Sequence, residues 1–197
     1  MVGTEDGLFC VDLDRDEICR IGDGKKIHQV EYIPDEQLMI VLAGKFLELN
    51  LFRFHEKKIQ FFQKSRNIYL FLGKQRQMRL IPVKALDQPA ETEWIKVADT
   101  KNCLTFATGI MRSGTSVSGG SGGPGAGSHC LCVAVKRQVI IYEITRLKSR
   151  HKRLREVLLP AQAQSLDVFS EGRLCVGYQS GFTIYRYENF NFFQFSI

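Results

Sequence analysis

The sequence predicts an all-β protein, a partial β-propeller of about three blades carrying an irregular insert and tail, and three observations point there. Short runs rich in Val, Ile, Leu and Cys lie between turn signals along the 197 residues. No stretch carries a long, clean helical period. Strand–turn–strand units recur, as they do in a propeller, where each blade is a small antiparallel sheet. Two sheets packed as a sandwich are the alternative.

The first unit is Gly3-Thr4-Glu5-Asp6-Gly7-Leu8-Phe9, and it has an echo near the other end in Gly177-Tyr178-Gln179-Ser180-Gly181-Phe182. In each, the first glycine lets a strand end close to its neighbour, and the second supplies the positive φ a tight turn needs before the chain runs back. The run Leu8 to Leu13 follows, with Phe9, Val11 and Leu13 on one face by the period of two. Leu38 to Ala43 is apolar at every position, the pattern of a strand covered on both sides. Cys130 to Val135 and Val139 to Ile144 form a further hairpin with Lys136-Arg137-Gln138 as its turn, and Leu174 to Val176 is a last short strand.

Two segments break this pattern. Gly-Lys stands at 44–45 and again at 73–74, and removing Phe46 to Lys74 joins the flanks into LMIVLAGKQRQMRLIPVKAL, a strand, a polar turn and a second strand. Of the fourteen Phe residues, six fall in 46–74 and four in the tail 186–197. Both segments have the Phe, Leu, Asn, Lys and Ile bias of translated AT-rich noncoding DNA, so they read as a retained intron and a read-through tail. A true insertion is the alternative, with Phe46 to Phe54 as an added strand. Ser113 to Ser128 is different in kind, a Gly/Ser-rich loop.

Bulk composition suits a domain with a real core, 44% apolar and 24% charged. The net charge of +6 favours acidic partners through a salt-screened attraction. No apolar run is long enough to span a bilayer and no secretory signal opens the chain, so a cytoplasmic location is expected. Six cysteines without a C-x-x-C pair suit a reducing compartment and buried thiols.

Five segments in order, GTEDGLFCVDLDRDEI, KKIHQVEYIPDEQLMIVLAGK, CLCVAVKRQVIIYEI, RHKRLREVLLP and FSEGRLCVGYQSGF, resemble the citron homology domain. The version they resemble most stands near the C-terminus of myotonic-dystrophy-kinase-related serine/threonine kinases that act downstream of Rho-family GTPases. The resemblance covers residues 1–185 apart from 46–74 and 113–128, leaving 186–197 as a tail outside the family pattern. It implies a β-propeller that is noncatalytic and regulatory, docking to protein partners at the cytoskeleton or membrane periphery, and here a fragment of such a kinase. About 140 residues remain once insert, loop and tail are set aside, which is about three blades at roughly 40 to 45 residues each, too few to close a ring of 4 to 8. Unpaired edges and an uncovered apolar face are then expected, and with them a marginal or insoluble isolated chain.

No catalytic, cofactor or metal signature rises above this background. Gly120-Ser121-Gly122-Gly123-Pro124-Gly125 has the letters of a dinucleotide loop but lacks the strand before and the helix after. Gly44-Lys45 and Gly73-Lys74 are followed by Phe and Gln, so neither is a P-loop. Cys130 and Cys132 with His129 suggest a metal only weakly, since same-face thiols in an apolar strand suit a core. The acidic stretch VDLDRDEI lacks the glycine and closing glutamate of a calcium loop and reads as a solvated turn. The candidate interaction surface is the basic run with Arg146, Lys148, Arg150, Lys152, Arg153 and Arg155, suited to a Rho-family GTPase or an anionic membrane surface. The simpler reading of the same run, and the one its charge alone favours, is a solvated strand and loop between blades. Nucleic acid fits poorly, because no aromatic platform accompanies the charge.

Overall fold

The computed structural model describes residues 1–22, 24–45, 75–83, 94–111, 128–145, 150–169, 172–188 and 191–196. The expected insert 46–74 lies outside the described residues, as does the Gly/Ser loop except for Ser128.

Among the described residues, four antiparallel sheets follow one another along the chain. The first holds β1 (Val2–Gly3), β2 (Leu8–Asp12) and β3 (Glu17–Ile21). The second holds β4 (Lys26–Ile33), β5 (Leu38–Lys45), β6 (Gln75–Pro82) and β7 (Ile95–Lys96). The third holds β8 (Cys103–Met111), β9 (Ser128–Val135), β10 (Gln138–Ile144) and β11 (His151–Leu158). The fourth holds β12 (Ser165–Phe169), β13 (Arg173–Tyr178), β14 (Gly181–Glu188) and β15 (Asn191–Ser196). Each sheet is a meander of sequential neighbours, as a propeller blade is. There are four sheets where residue arithmetic suggests about three, for two reasons. The first has only three strands, and the fourth takes its outer strand β15 from the tail that the arithmetic set aside.

Three apolar cores lie between these four sheets. Leu8 and Ile21 of the first sheet meet Ile27, Met39, Val41, Ala43 and Ile81 of the second. From the opposite face of the second sheet, Leu38, Ile40, Leu42, Met78 and Leu80 meet Phe106, Leu131, Val133, Ile140 and Tyr142 of the third. The third sheet's other face presents Cys130, Cys132, Ala134, Val139 and Ile141 to Leu174, Val176 and Tyr185 of the fourth. Residues 38–43 therefore alternate between two cores, which is why every one of them is apolar and buried. Tyr142 OH donates to Ala98 O at 2.6 Å, so this core tyrosine is not left with an unmade hydrogen bond. Burial raises its pKa to about 12, with the Asp99 charge adding to the effect.

The first strands of the second and third sheets are stitched together by polar side chains. Gln29 Nε2 of β4 donates to Phe106 O of β8 at 2.9 Å, Thr105 Oγ1 donates to Gln29 Oε1 at 3.3 Å, and Thr108 Oγ1 donates to Glu31 Oε1. Thr100, fully buried, plugs the edge of β6: its Oγ1 accepts from Met78 N at 3.2 Å and donates to Val97 O at 2.8 Å. These bonds satisfy edge groups that the two-residue β7 is too short to reach.

Both glycine units behave as their spacing predicts. Gly7 and Gly181 have φ of 144° and 140°. A Cβ on Gly3 would sit 2.5 Å from Ile27 Cγ2, and one on Gly177 would strike Ser165 Oγ. The two units occupy different places, however. The first joins the edge strand β1 to β2, while the second joins the middle strands β13 and β14. Their likeness is one of turn chemistry and not of blade position. Leu13 leaves the strand and is 89% exposed at the turn, so the shared face of β2 ends at Val11.

The far faces of the end sheets keep apolar side chains in solvent, as an open row of blades should. Val2 and Ile18 are exposed on the first sheet, and Phe169 and Phe182 on the fourth.

Candidate interaction surface

Strand β11 carries the basic run along the outer edge of the third sheet. Arg146 and Lys148 lie outside the described residues. The strand begins after Arg150, whose φ of 57° and whose carbonyl, accepting from Thr145 N at 3.0 Å, turn the chain back toward β10.

Pairing with β10 then sorts the cations by face. Lys152 opposes Glu143, Arg153 opposes Tyr142 and Arg155 opposes Ile141, with a register shift that leaves Leu154 unpaired as a bulge. Opposed residues share a face. Tyr142 points into the core shared with the second sheet, so Arg153 lies on that side, whereas Ile141 points toward the fourth sheet and Arg155 follows it. The bulge therefore splits what the sequence presents as one basic stripe.

Arg153 is committed to the fold. Its Nη1 donates to Asp99 Oδ2 at 2.9 Å and its Nη2 to Glu156 Oε2 at 2.5 Å. Beside it, His151 packs edge-on against the Tyr142 ring at 5.8 Å. Lys152 is exposed on the opposite face, with Arg155 half-buried two pairs away across the bulge. The sequence could not have identified Asp99 as a partner. It stands 54 positions away, in the turn between β7 and β8, and only the packing of the second sheet against the third brings it to β11.

The weaker chemical candidates resolve into structure. Cys130 and Cys132 are fully buried, and a hydrogen bond between the two thiols, then burial, holds the Cys132 pKa well above its ordinary value. Strand alternation turns His129 to the other face, where Nε2 pairs with Asp35 Oδ2 at 3.1 Å. In the acidic stretch, Asp12 Oδ1 accepts from Asp14 N and Arg15 N at 3.0 and 3.2 Å, closing an Asx-type turn with Asp16 at φ 54°. Residues 120–125 lie outside the described residues.

Residues 1–64 and 57–195 both match the CNH domain. The chain belongs to the CNH domain family. The two CNH matches overlap within 46–74, and the second runs on through the tail to residue 195. Among curated relatives, the serine/threonine-protein kinase MRCK alpha of Mus musculus is 39% identical over 184 residues, 93% of this chain and 8% of that protein. The Drosophila melanogaster serine/threonine-protein kinase Genghis Khan is 36% identical over 190 residues, 94% of this chain and 9% of that protein. The serine/threonine-protein kinase mrck-1 of Caenorhabditis elegans is 29% identical over 188 residues, again 9% of that protein. This CNH chain thus spans less than a tenth of the length of these kinase relatives. Its match is to the CNH domain, a segment distinct from a kinase domain, and such a segment fits a noncatalytic regulatory module.

Proposed function

We propose that this chain docks a protein partner on behalf of a cytoskeleton-regulating serine/threonine kinase, with a Rho-family GTPase as the partner class. The observation that carries this is how the edge strand β11 presents its cations: Arg153 bridges Asp99 and Glu156 on one face, Lys152 is exposed on the other with Arg155 half-buried on that same face, and Arg150 is half-buried at the turn before the strand. Cations on a rigid strand edge suit an acidic protein face, where they raise the association rate and set orientation more than they add affinity. The net charge of +6 supports a second occupant, an anionic membrane surface, at about 1 kcal/mol per Lys or Arg near the headgroups. Either partner would place the protein in the cytoplasm, at the cytoskeleton or the membrane periphery.

Titration calorimetry of the chain against nucleotide-loaded Rho-family GTPases tests the first reading. Binding that weakens with salt, and weakens by roughly tenfold or more in Lys152→Glu/Arg155→Glu, is expected, since rim charges act through a screened field. Undiminished binding by the doubly reversed variant would remove β11 from the account. Co-sedimentation with anionic but not neutral vesicles, with no GTPase binding, would favour the membrane.

A further inference from the structure

Cys10 of β2 and Cys19 of β3 are direct partners across the first sheet. The other four cysteines have no thiol opposite them: Cys103 faces Val135, Cys130 faces Gly109 and Glu143, Cys132 faces Ala107 and Ile141, and Cys175 faces Asp167 and Ile184. Directly opposed residues in an antiparallel pair have Cα atoms about 5.5 or about 4.5 Å apart, depending on whether the pair exchanges hydrogen bonds. Both separations fall within the roughly 4.4–6.8 Å that a disulfide spans. The side chains also point the same way, so Cβ atoms about 4.5–5.5 Å apart need only a small approach to reach disulfide geometry.

Strand β3 can supply that approach. It is the outer strand of a three-stranded sheet, and four of its five residues are exposed, Cys19 among them. Cys10 is half-buried against the core shared with the second sheet, which holds it in place. One thiol is therefore reachable by a reagent from solution, and the second lies beside it. Sequence composition suggests mostly buried thiols, and burial is complete for Cys103, Cys130 and Cys132. Those last two sit on one strand and would have to buckle it to join.

We propose that Cys10 and Cys19 form a reversible dithiol–disulfide site, a redox-controlled staple across the first sheet, oxidised by a small disulfide of the glutathione class. The Cys19 thiolate attacks that disulfide, making a mixed disulfide and releasing one glutathione thiolate. The Cys10 thiolate then attacks the Cys19 sulfur, forming the Cys10–Cys19 bond and expelling the second glutathione thiolate. Two protein thiols lose two electrons and two protons, and both leave on two molecules of reduced glutathione. The bond closes the loop around the turn 13–16 and limits the freedom of this sheet's unfolded state. Stapling is independent of what β11 docks.

The test equilibrates the 197-residue chain with oxidised and reduced glutathione, quenches it by alkylation and maps the peptides by mass spectrometry. Loss of two of the six alkylatable thiols, one link joining positions 10 and 19, and full reversal by reductant are expected. The link should give way to mixed pairings in urea, because the fold selects the pair. In Cys10→Ser, Cys19 should stop at the glutathione adduct, and the oxidised native chain should melt above the reduced one. A different dominant pair, a native chain that also stops at the Cys19 adduct, six thiols that all stay reduced in excess oxidised glutathione, or an oxidised chain that melts no higher would each overturn the proposal.

Discussion

The β5–β6 hairpin and its sisters β9–β10 and β13–β14 are built alike and closed differently. In the third sheet the pairing runs up to Val135 opposite Gln138, leaving Lys136-Arg137 as the turn, and in the fourth it runs up to Tyr178 opposite Gly181, leaving Gln179-Ser180. In the second sheet it runs unbroken from Leu38 opposite Pro82 to Lys45 opposite Gln75, and 46–74 lies between those two ends. A chain joined directly from Lys45 to Gln75 would have Gly44 opposite Arg76 as its last pair and those two residues as its turn, the arrangement of the sisters. The comparison teaches that the faces of β5 and β6 set this register. With Met78 and Leu80 directed to one core and Ile81 to another, a slip of one residue would exchange their sides.

If the faces hold the hairpin, truncating a face should cost far more than changing the connection. Leu42 is buried in the core between the second and third sheets, and Leu42→Ala should lower unfolding stability by about 2–5 kcal/mol. Urea melts of the two proteins measure this. A cost no larger than that of removing 46–74 would mean that the connection, and not the core, sets the register.

A smaller effect sharpens the same distinction between what holds a sheet and what projects from it, now at β11. Arg153 bridges Asp99 and Glu156, so Arg153→Ala should cost up to about 1 kcal/mol in melts at low salt, less at high salt, as for other partly exposed pairs. Lys152→Ala, on the exposed face, should stay within about 0.5 kcal/mol of the native chain. Equal costs would mean that the bulge at Leu154 does not sort the cations as described.

Much of this architecture was legible in the residues themselves. The apolar run 38–43 announced a strand between two cores, and Gly3, Gly7, Gly177 and Gly181 announced close approaches and positive φ, because such constraints leave few other residues able to serve. Four sheets were less visible than three. β1 is only two residues long, and β15 lies in a segment whose Phe-rich composition set it apart. At the candidate surface the charge was legible and its division was not. Which cation meets Asp99 depends on a bulge and on an aspartate brought from another turn, and neither leaves a local mark in RLKSRHKRLR. The Cys10–Cys19 pairing is of the same kind, since register across a four-residue turn decides it.

Removing residues 46–74 is the most direct test, with Lys45 joined to Gln75 and the unfolding midpoint and β-sheet circular dichroism compared with those of the full chain. Shortening a loop lowers the entropy lost on closing it. The account predicts an unfolding midpoint the same as or higher than the full chain's, with the sheet signal kept. A fall in that midpoint, or a sheet signal lost with the segment, would mean that 46–74 belongs to the core after all.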